Sequence, residues 1–144
     1  MAHEIGYLIS RANLLGNRLL NRLLIDAQIT AFNSEQGKLL YVLWREDGIT
    51  VSALAEATNL ALNTVSRMLL TMEQNGLVQR VPDADDRRIK RVFLTEKGRA
   101  AQQDALPISQ AMENRLFEGF SNDELNQLET LLRRLVANSQ KQNR

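Results

Sequence analysis

The chain has 144 residues, no cysteine, a single histidine and a formal net charge of +1. Disulfides and thiol chemistry are excluded, as is a metal centre built on several histidines. With 44% hydrophobic and 24% charged residues it has the balance of a domain with a core, and no apolar run reaches the roughly 18 residues of a membrane span. The start of the chain lacks a basic region followed by a long apolar stretch, so no secretory signal is expected and the sequence reads as cytoplasmic.

The first predicted element is a long helix over residues 4–27. Ile5, Leu8, Ile9, Ala12, Leu15, Leu19, Leu23 and Leu24 recur at spacings of three and four and form a wide apolar stripe. Arg11, Arg18 and Arg22 fall on another face. A second helix is expected over about residues 35–46, with Ser34 as its N-cap and Leu39, Leu40 and Leu43 turned inward. Asp47-Gly48-Ile49-Thr50 then turns the chain into the segment around which the rest is organised.

That segment reads as two short helices meeting at a tight turn. Leu54 and Ala55 face inward on the first, Val65, Leu69 and Met72 on the second, and Asn59-Leu60 is the turn, with Leu60 as its plug. Gly76 stands where a left-handed helix stop is wanted, with Leu77 folding back on the last turn. Residues 77–81 and 89–94 are β-rich, and between them Pro82-Asp83-Ala84-Asp85-Asp86-Arg87-Arg88 is polar and turn-forming. Two strands and a basic loop directly after a helix-turn-helix make a winged helix.

After the wing, Thr95 is placed to cap a long fifth helix running to about residue 117, with Pro107 inside it and a kink expected there. Ser121 and Glu124 have the spacing of a capping box and open a sixth helix. Leu125, Leu128, Leu132 and Leu135 repeat along it, Leu131 and Val136 widen the stripe, and residues 138–144 are expected to fray. The fold class is therefore mainly α with a small β-wing. One small winged helix cannot cover apolar helices at both ends of the chain, so a homodimer is expected.

Charge is distributed unevenly. Residues 61–99 carry eight basic side chains against five acidic ones, whereas residues 1–60 and 100–144 each carry five against six. The positive excess coincides with the second motif helix and the wing, where DNA phosphates would lie. With Val65, Leu69 and Met72 inward, Asn63, Thr64, Ser66 and Arg67 point outward near the start of that helix, the end that reads base edges. Arg67 suits a guanine or a phosphate and Asn63 an adenine. Arg87 and Arg88 are the wing candidates.

The ordered set Leu54-Ala55-Glu56, Thr64-Val65-Ser66-Arg67, Gly76-Leu77-Val78, Asp86-Arg87-Arg88 and Leu94-Thr95-Glu96-Lys97-Gly98 resembles the signature of MarR-type transcriptional regulators. The resemblance covers the whole chain. It implies one MarR-like domain over residues 1–144: a winged helix-turn-helix core at about 34–98, flanked by dimerisation helices at about 4–27 and 96–140. It further implies a homodimeric repressor that binds double-stranded DNA at an inverted-repeat operator and is released by a small aromatic or amphipathic effector, with no cofactor. By the same resemblance Asp86 pairs with Arg88 and shapes the wing, while Arg87 reaches towards the minor groove; pairing with Asp83 or Asp85 is the alternative. Relatives that sense peroxide use cysteine, which this chain lacks. Others bind aromatic compounds in a cleft between the dimer helices and the winged helix, where Tyr7, Arg11, Phe32, Tyr41 and Trp44 are expected.

The chain also departs from that signature. Ala61 and Leu62 replace the usual serine, aspartate or basic residue, so the second motif helix loses its side-chain cap and is expected to begin later, on Asn63. Leu62 either lies against a thymine methyl or packs inward. Leu70 and Thr71 stand where charged residues are common, which weakens a phosphate clamp. The alternatives to this reading are a winged helix used for protein interaction and a regulator without effector response. An enzyme finds no support: there is no glycine-rich phosphate loop, no metal-ligand cluster, and His3 has no nucleophile of its own.

Overall fold

In the computed structural model, which describes residues 2–143, the elements follow the order α1 (Ile5–Asp26), α2 (Ser34–Arg45), α3 (Val51–Thr58), α4 (Leu62–Gln74), β1 (Val78–Pro82), β2 (Lys90–Leu94), α5 (Glu96–Leu116) and α6 (Asn122–Gln142). They form two compact units, one reaching to Met112 and one beginning at Glu113.

The first unit is built around a single core. Leu39, Leu40 and Leu43 of α2, Leu54 of α3, Val65, Leu69 and Met72 of α4, and Leu77 and Val92 around the wing are all fully buried. These include the inward faces expected from the helical spacing. Leu23 and Leu24 close the core from α1, and Ala101 and Ile108 close it from α5.

Two helix starts differ from expectation. The cap of α2 is Asn33, not Ser34. Its carboxamide accepts from the Gln36 amide at 2.9 Å, and the Gln36 side chain accepts from the Asn33 amide at 3.1 Å. A cap at Ser34 would have put Gly37 at the third helical position, where no side chain could reach back. Ser34 is instead buried, and its amide donates to Asn21 of α1 at 2.8 Å.

The other difference concerns α4, which begins at Leu62 rather than on Asn63. Ala61 is its N-cap and offers no side-chain bond. Packing sets the start. Asn59 ends α3 in the left-handed region (φ 54°), and the Leu60 amide folds back to the Ala55 carbonyl. Val65 is then fully buried and its amide closes the first turn on Ala61. The missing cap forgoes about 1 kcal/mol, less than the burial of one valine.

The end of α4 follows its glycine. Gly76 has φ +75°, its amide bonds to the Glu73 carbonyl, and the Leu77 amide bonds to the Met72 carbonyl, the two bonds of a Schellman stop. Because the Leu77 amide is used there, β1 starts at Val78, one residue later than expected. It pairs antiparallel with β2 from Val78 opposite Leu94 to Pro82 opposite Lys90. The Asp47–Thr50 loop lies along the outer edge of β2: Gly48 donates to the Val92 carbonyl, and Val92 donates to Ile49.

The Thr95 hydroxyl caps α5 by accepting from the Gly98 amide at 3.0 Å, and it donates to the Gly76 carbonyl. Pro107 lies inside α5 without ending it and removes the amide that would bond to the Gln103 carbonyl. In the second unit the Ser121–Glu124 capping box opens α6, and Phe117 meets Phe120 edge to face. The helix continues to Gln142, so the fraying expected from residue 138 is not seen up to that point; Arg144 lies outside the described residues. Gln140, Lys141 and Gln142 are good helix formers, and extending an existing helix is far easier than starting one.

Gly98 is the least replaceable glycine. A Cβ there would stand 2.1 Å from the Leu77 carbonyl oxygen, whereas one at Gly6 in α1 would meet nothing within 4 Å. Gly98→Ala is expected to destabilise the protein by about 1–3 kcal/mol or more through overpacking, and Gly6→Ala by nothing or less. Urea unfolding of both variants against the parent checks this pair.

Candidate nucleic-acid interface

With Val65, Leu69 and Met72 turned into the core, the outward ridge of α4 runs through Leu62, Asn63, Ser66, Arg67 and Leu70. Asn63 and Arg67 are exposed and Ser66 is half-buried. Thr64 lies on the flank, where it lines a shallow groove with Arg67, Asn33 and Gln36. Leu62 does not pack inward: both it and Leu70 are 51% exposed.

Carboxylates hold the wing in shape. One oxygen of Asp83 accepts the amides of Asp85 (3.1 Å) and Asp86 (3.0 Å), and the other accepts from the Arg91 guanidinium. Arg91 also donates to the Gly48 carbonyl at 2.9 Å, tying β2 to the loop before α3. Of the partners open to Arg88, the structure has Asp86, in a two-point pair at 3.0 Å for each bond. The Arg91 guanidinium and the turn amides hold the Asp83 carboxyl below the usual carboxylate range. The Arg88 guanidinium and amide do the same for Asp86, and Asp86 in turn raises Arg88. At the base of the wing, Asp47 accepts the Leu94 amide at 2.8 Å and faces Arg99 at 3.5 Å.

These pairings divide the basic residues of the segment. Arg80 is bound to Glu73, Arg91 to Asp83, Arg88 to Asp86 and Arg99 to Asp47, while Lys97 donates to the Asn75 carbonyl. Arg67, Arg87 and Lys90 have no acidic partner among the described residues. Charge counting could not make this division. Asp83 and Asp47, which hold the wing and its base, were not among the expected site residues, although an aspartate followed by free amides two and three residues on is a known turn-former.

The expected cleft residues separate into two groups. Phe32, Tyr41 and Trp44 line a cavity of about 450 Å³ together with Leu20 and Leu24 of α1 and Ile108 of α5. Phe32 and Trp44 meet edge to face at 6.4 Å, and the Trp44 indole donates to the Gly98 carbonyl at 2.9 Å. Tyr7 and Arg11 do not line this cavity. They pair with each other, guanidinium to hydroxyl at 3.1 Å and over the ring, about two to three turns before Asn17, the first α1 residue on its wall. Lys38, absent from the expected set, also lines the wall, its ammonium paired with Glu35 at 3.2 Å. Among the described residues no cluster of three histidine, aspartate or glutamate side chains could hold a metal ion, and no helix is long and apolar enough to cross a membrane.

A helix-turn-helix whose second helix runs straight into a two-stranded antiparallel wing defines a winged helix-turn-helix protein. The family model described as MarR family matches residues 32–90. Among solved structures, a MarR transcriptional regulator from Methanosarcina mazei superposes with a TM-score of 0.85 at 29% identity, covering 95% of this chain and 96% of that one. A mutant of Escherichia coli MarR, crystallised with operator DNA, gives 0.81 at 30% identity, covering 91% and 92%. The transcriptional regulator HosA of Escherichia coli is 34% identical over 89 residues, 62% of this chain and 66% of that protein. The chain belongs to the MarR family of transcriptional regulators.

Because Asp83 and Asp86 are both held below the usual carboxylate range, the ordering they give the wing is complete at neutral pH. It should be lost only as pH falls below about 4. Amide NMR shifts of residues 83–91 are expected to stay constant from pH 8 to 5 and move below that range, and to be displaced at every pH in Asp83→Ala.

Proposed function

We propose that the protein is a cytoplasmic homodimeric repressor that binds an inverted-repeat operator and is released by a small aromatic or amphipathic acid. The observation that carries the DNA-binding reading is the convergence of free groups on one motif. The polar ridge of α4 bears Asn63, Ser66 and Arg67, with Thr64 on its flank, and among the described residues Arg67, Arg87 and Lys90 have no acidic partner, whereas Arg80, Arg88 and Arg91 are paired. Asn63 and Arg67 are the base readers and Arg87 the groove or phosphate contact, while the paired Arg88 positions the wing beside it. The operator-bound relative supports the same use of the fold.

The chain is read as a single functional domain, with residues 34–98 binding DNA and residues 4–27 and 96–140 joining two copies. In α1, Ile5, Leu8, Ile9, Leu14 and Leu15 are exposed. In α6 no residue is buried, and a groove of about 660 Å³ runs past Phe117, Leu125, Leu128, Leu132 and Val136. Leaving such faces in water is unfavourable at about 25 cal/mol per Å², so a second copy is the natural cover.

The effector reading rests on the 450 Å³ cavity, lined by the aromatic side chains of Phe32, Tyr41 and Trp44 and by Lys38, whose ammonium is paired with Glu35. An aromatic acid would lie on those walls and compete with Glu35 for the ammonium. The ligand acts by preferring dimers whose recognition helices are wrongly spaced; a tenfold preference shifts the balance by about 1.4 kcal/mol per site.

Arg87→Ala should weaken binding to all duplexes and reduce the salt slope by about 1, whereas Asn63→Ala should lose discrimination at one base pair, by about 1–3 kcal/mol. Fluorescence anisotropy on selected and random duplexes at several salt concentrations separates the two. Equal loss on both kinds of DNA from both variants would show that α4 does not read sequence. Failure of the parent protein to bind DNA would favour a protein-interaction module.

An aromatic carboxylate should lower operator affinity with the dimer mass unchanged, and Tyr41→Ala should blunt the response while leaving ligand-free binding intact. Gel-shift titrations with light scattering in parallel check both. A monomer mass at micromolar concentration contradicts the dimer, and release that tracks dissociation contradicts the cavity mechanism.

A further inference from the structure

We infer that Leu62 and Leu70, at the two ends of the outward ridge of α4, are specificity-determining residues that recognise the 5-methyl groups of thymines in the major groove. The inference rests on the DNA-binding reading above and adds to it which bases the ridge prefers.

Neither leucine has a structural task. The buried face of α4 is complete without them, with Val65, Leu69 and Met72 fully buried, while each of the two is 51% exposed. Neither belongs to the core cluster nor to the half-buried residues packed against it. Both lie on the same ridge as Asn63, Ser66 and Arg67, one at each end.

Their spacing also argues for DNA rather than for a protein surface. Eight residues of helix separate them by about 12 Å, and the side chains between them are polar. A protein-docking face would gather its apolar side chains into one patch, whereas here they flank a polar centre. The surroundings are complementary to DNA: Arg67 on the ridge and Arg87 and Lys90 on the wing have no acidic partner among the described residues, and the acid at the ridge's edge, Glu73, is bound to Arg80.

In the major groove, the thymine methyl is the apolar group that a base pair presents. A leucine set against it removes apolar surface from both partners. Set against a cytosine or guanine edge, the same leucine strips water from a donor or acceptor and returns no hydrogen bond. Two such residues therefore favour thymine by attraction and disfavour G·C pairs by exclusion. Each half-site should carry thymines on either side of the bases read by Asn63 and Arg67.

The test alters the DNA before the protein. A site is selected from random duplexes with the purified full chain, and each thymine in one half-site is then replaced singly by uracil, which removes only the methyl. Two positions should lose about fourfold in affinity, the scale of burying one methyl group. Leu62→Ala should abolish the sensitivity at one of them and Leu70→Ala at the other, each variant binding uracil and thymine equally at its own position and keeping the loss at the other. Circular dichroism melts confirm that these exposed substitutions leave the fold intact. A uracil scan that is flat on a tightly bound site, or one unchanged in both alanine variants, overturns the inference while DNA binding stands. If no site is selected at all, the DNA-binding reading itself fails.

Discussion

The glycine with the least room around it marks the constraint on which the rest depends, the approach of the first turn of α5 to the end of α4. The Leu77 carbonyl accepts from the Thr95 amide, the Thr95 hydroxyl donates to the neighbouring Gly76 carbonyl, and the Gly98 backbone lies so near that a single added carbon would overlap Leu77. Leu77 is itself fully buried, and its amide completes the stop of α4. From the other side the Trp44 indole bonds to the Gly98 carbonyl. α4, both strands, α2 and the start of α5 are thus fixed relative to one another at one junction. The direction in which α4 presents its outer face is decided there.

The wing is organised differently, by charge rather than by close packing. Each of its ion pairs is at least partly exposed, and pairs of that kind contribute little to stability. What they determine is shape and the distribution of free charge. Asp83 fixes the turn through two amides and holds Arg91 back against the loop at Gly48. Asp86 holds Arg88 at two points, which orients the loop that carries Arg87. The acids that reduce the segment's net charge are therefore the same groups that leave a small number of cations in defined places.

The sequence made the order of elements and their inner faces legible because those features repeat. The 3.6-residue spacing of Val65, Leu69 and Met72, the glycine at position 76 and the Ser121–Glu124 pair each act locally. The errors arose where a distant part of the chain overrode a local signal. Ser34 is an exception of a different kind, because the capping box of Asn33 and Gln36 is itself a local signal, three residues apart, that outcompetes it. Asn63 is a good cap in isolation, yet the burial of Val65 starts α4 before it. For the candidate site, the outward residues of α4 followed from the pattern, but the pairing of particular arginines with particular acids did not. Nor did the division of the aromatic residues, since nothing local in the sequence says that Phe32 and Trp44 share a cavity with Lys38 while Tyr7 keeps to Arg11.

The second unit poses the remaining physical problem. α6 has a capping box, and Arg133 is bound to Glu129 one turn earlier, so its ends and surface are well supplied locally. Such features contribute about 1 kcal/mol for the cap and a few tenths for the pair. Against this, Leu131, Leu132, Leu135 and Val136 remain exposed on a helix with no buried residue. Fully burying such a side chain is worth about 1.5–3 kcal/mol, and even the part of each that is still exposed adds up, over the four, to more than the local terms. In the proposed dimer, the stability of this segment is then set by association more than by the segment itself, and it varies with protein concentration.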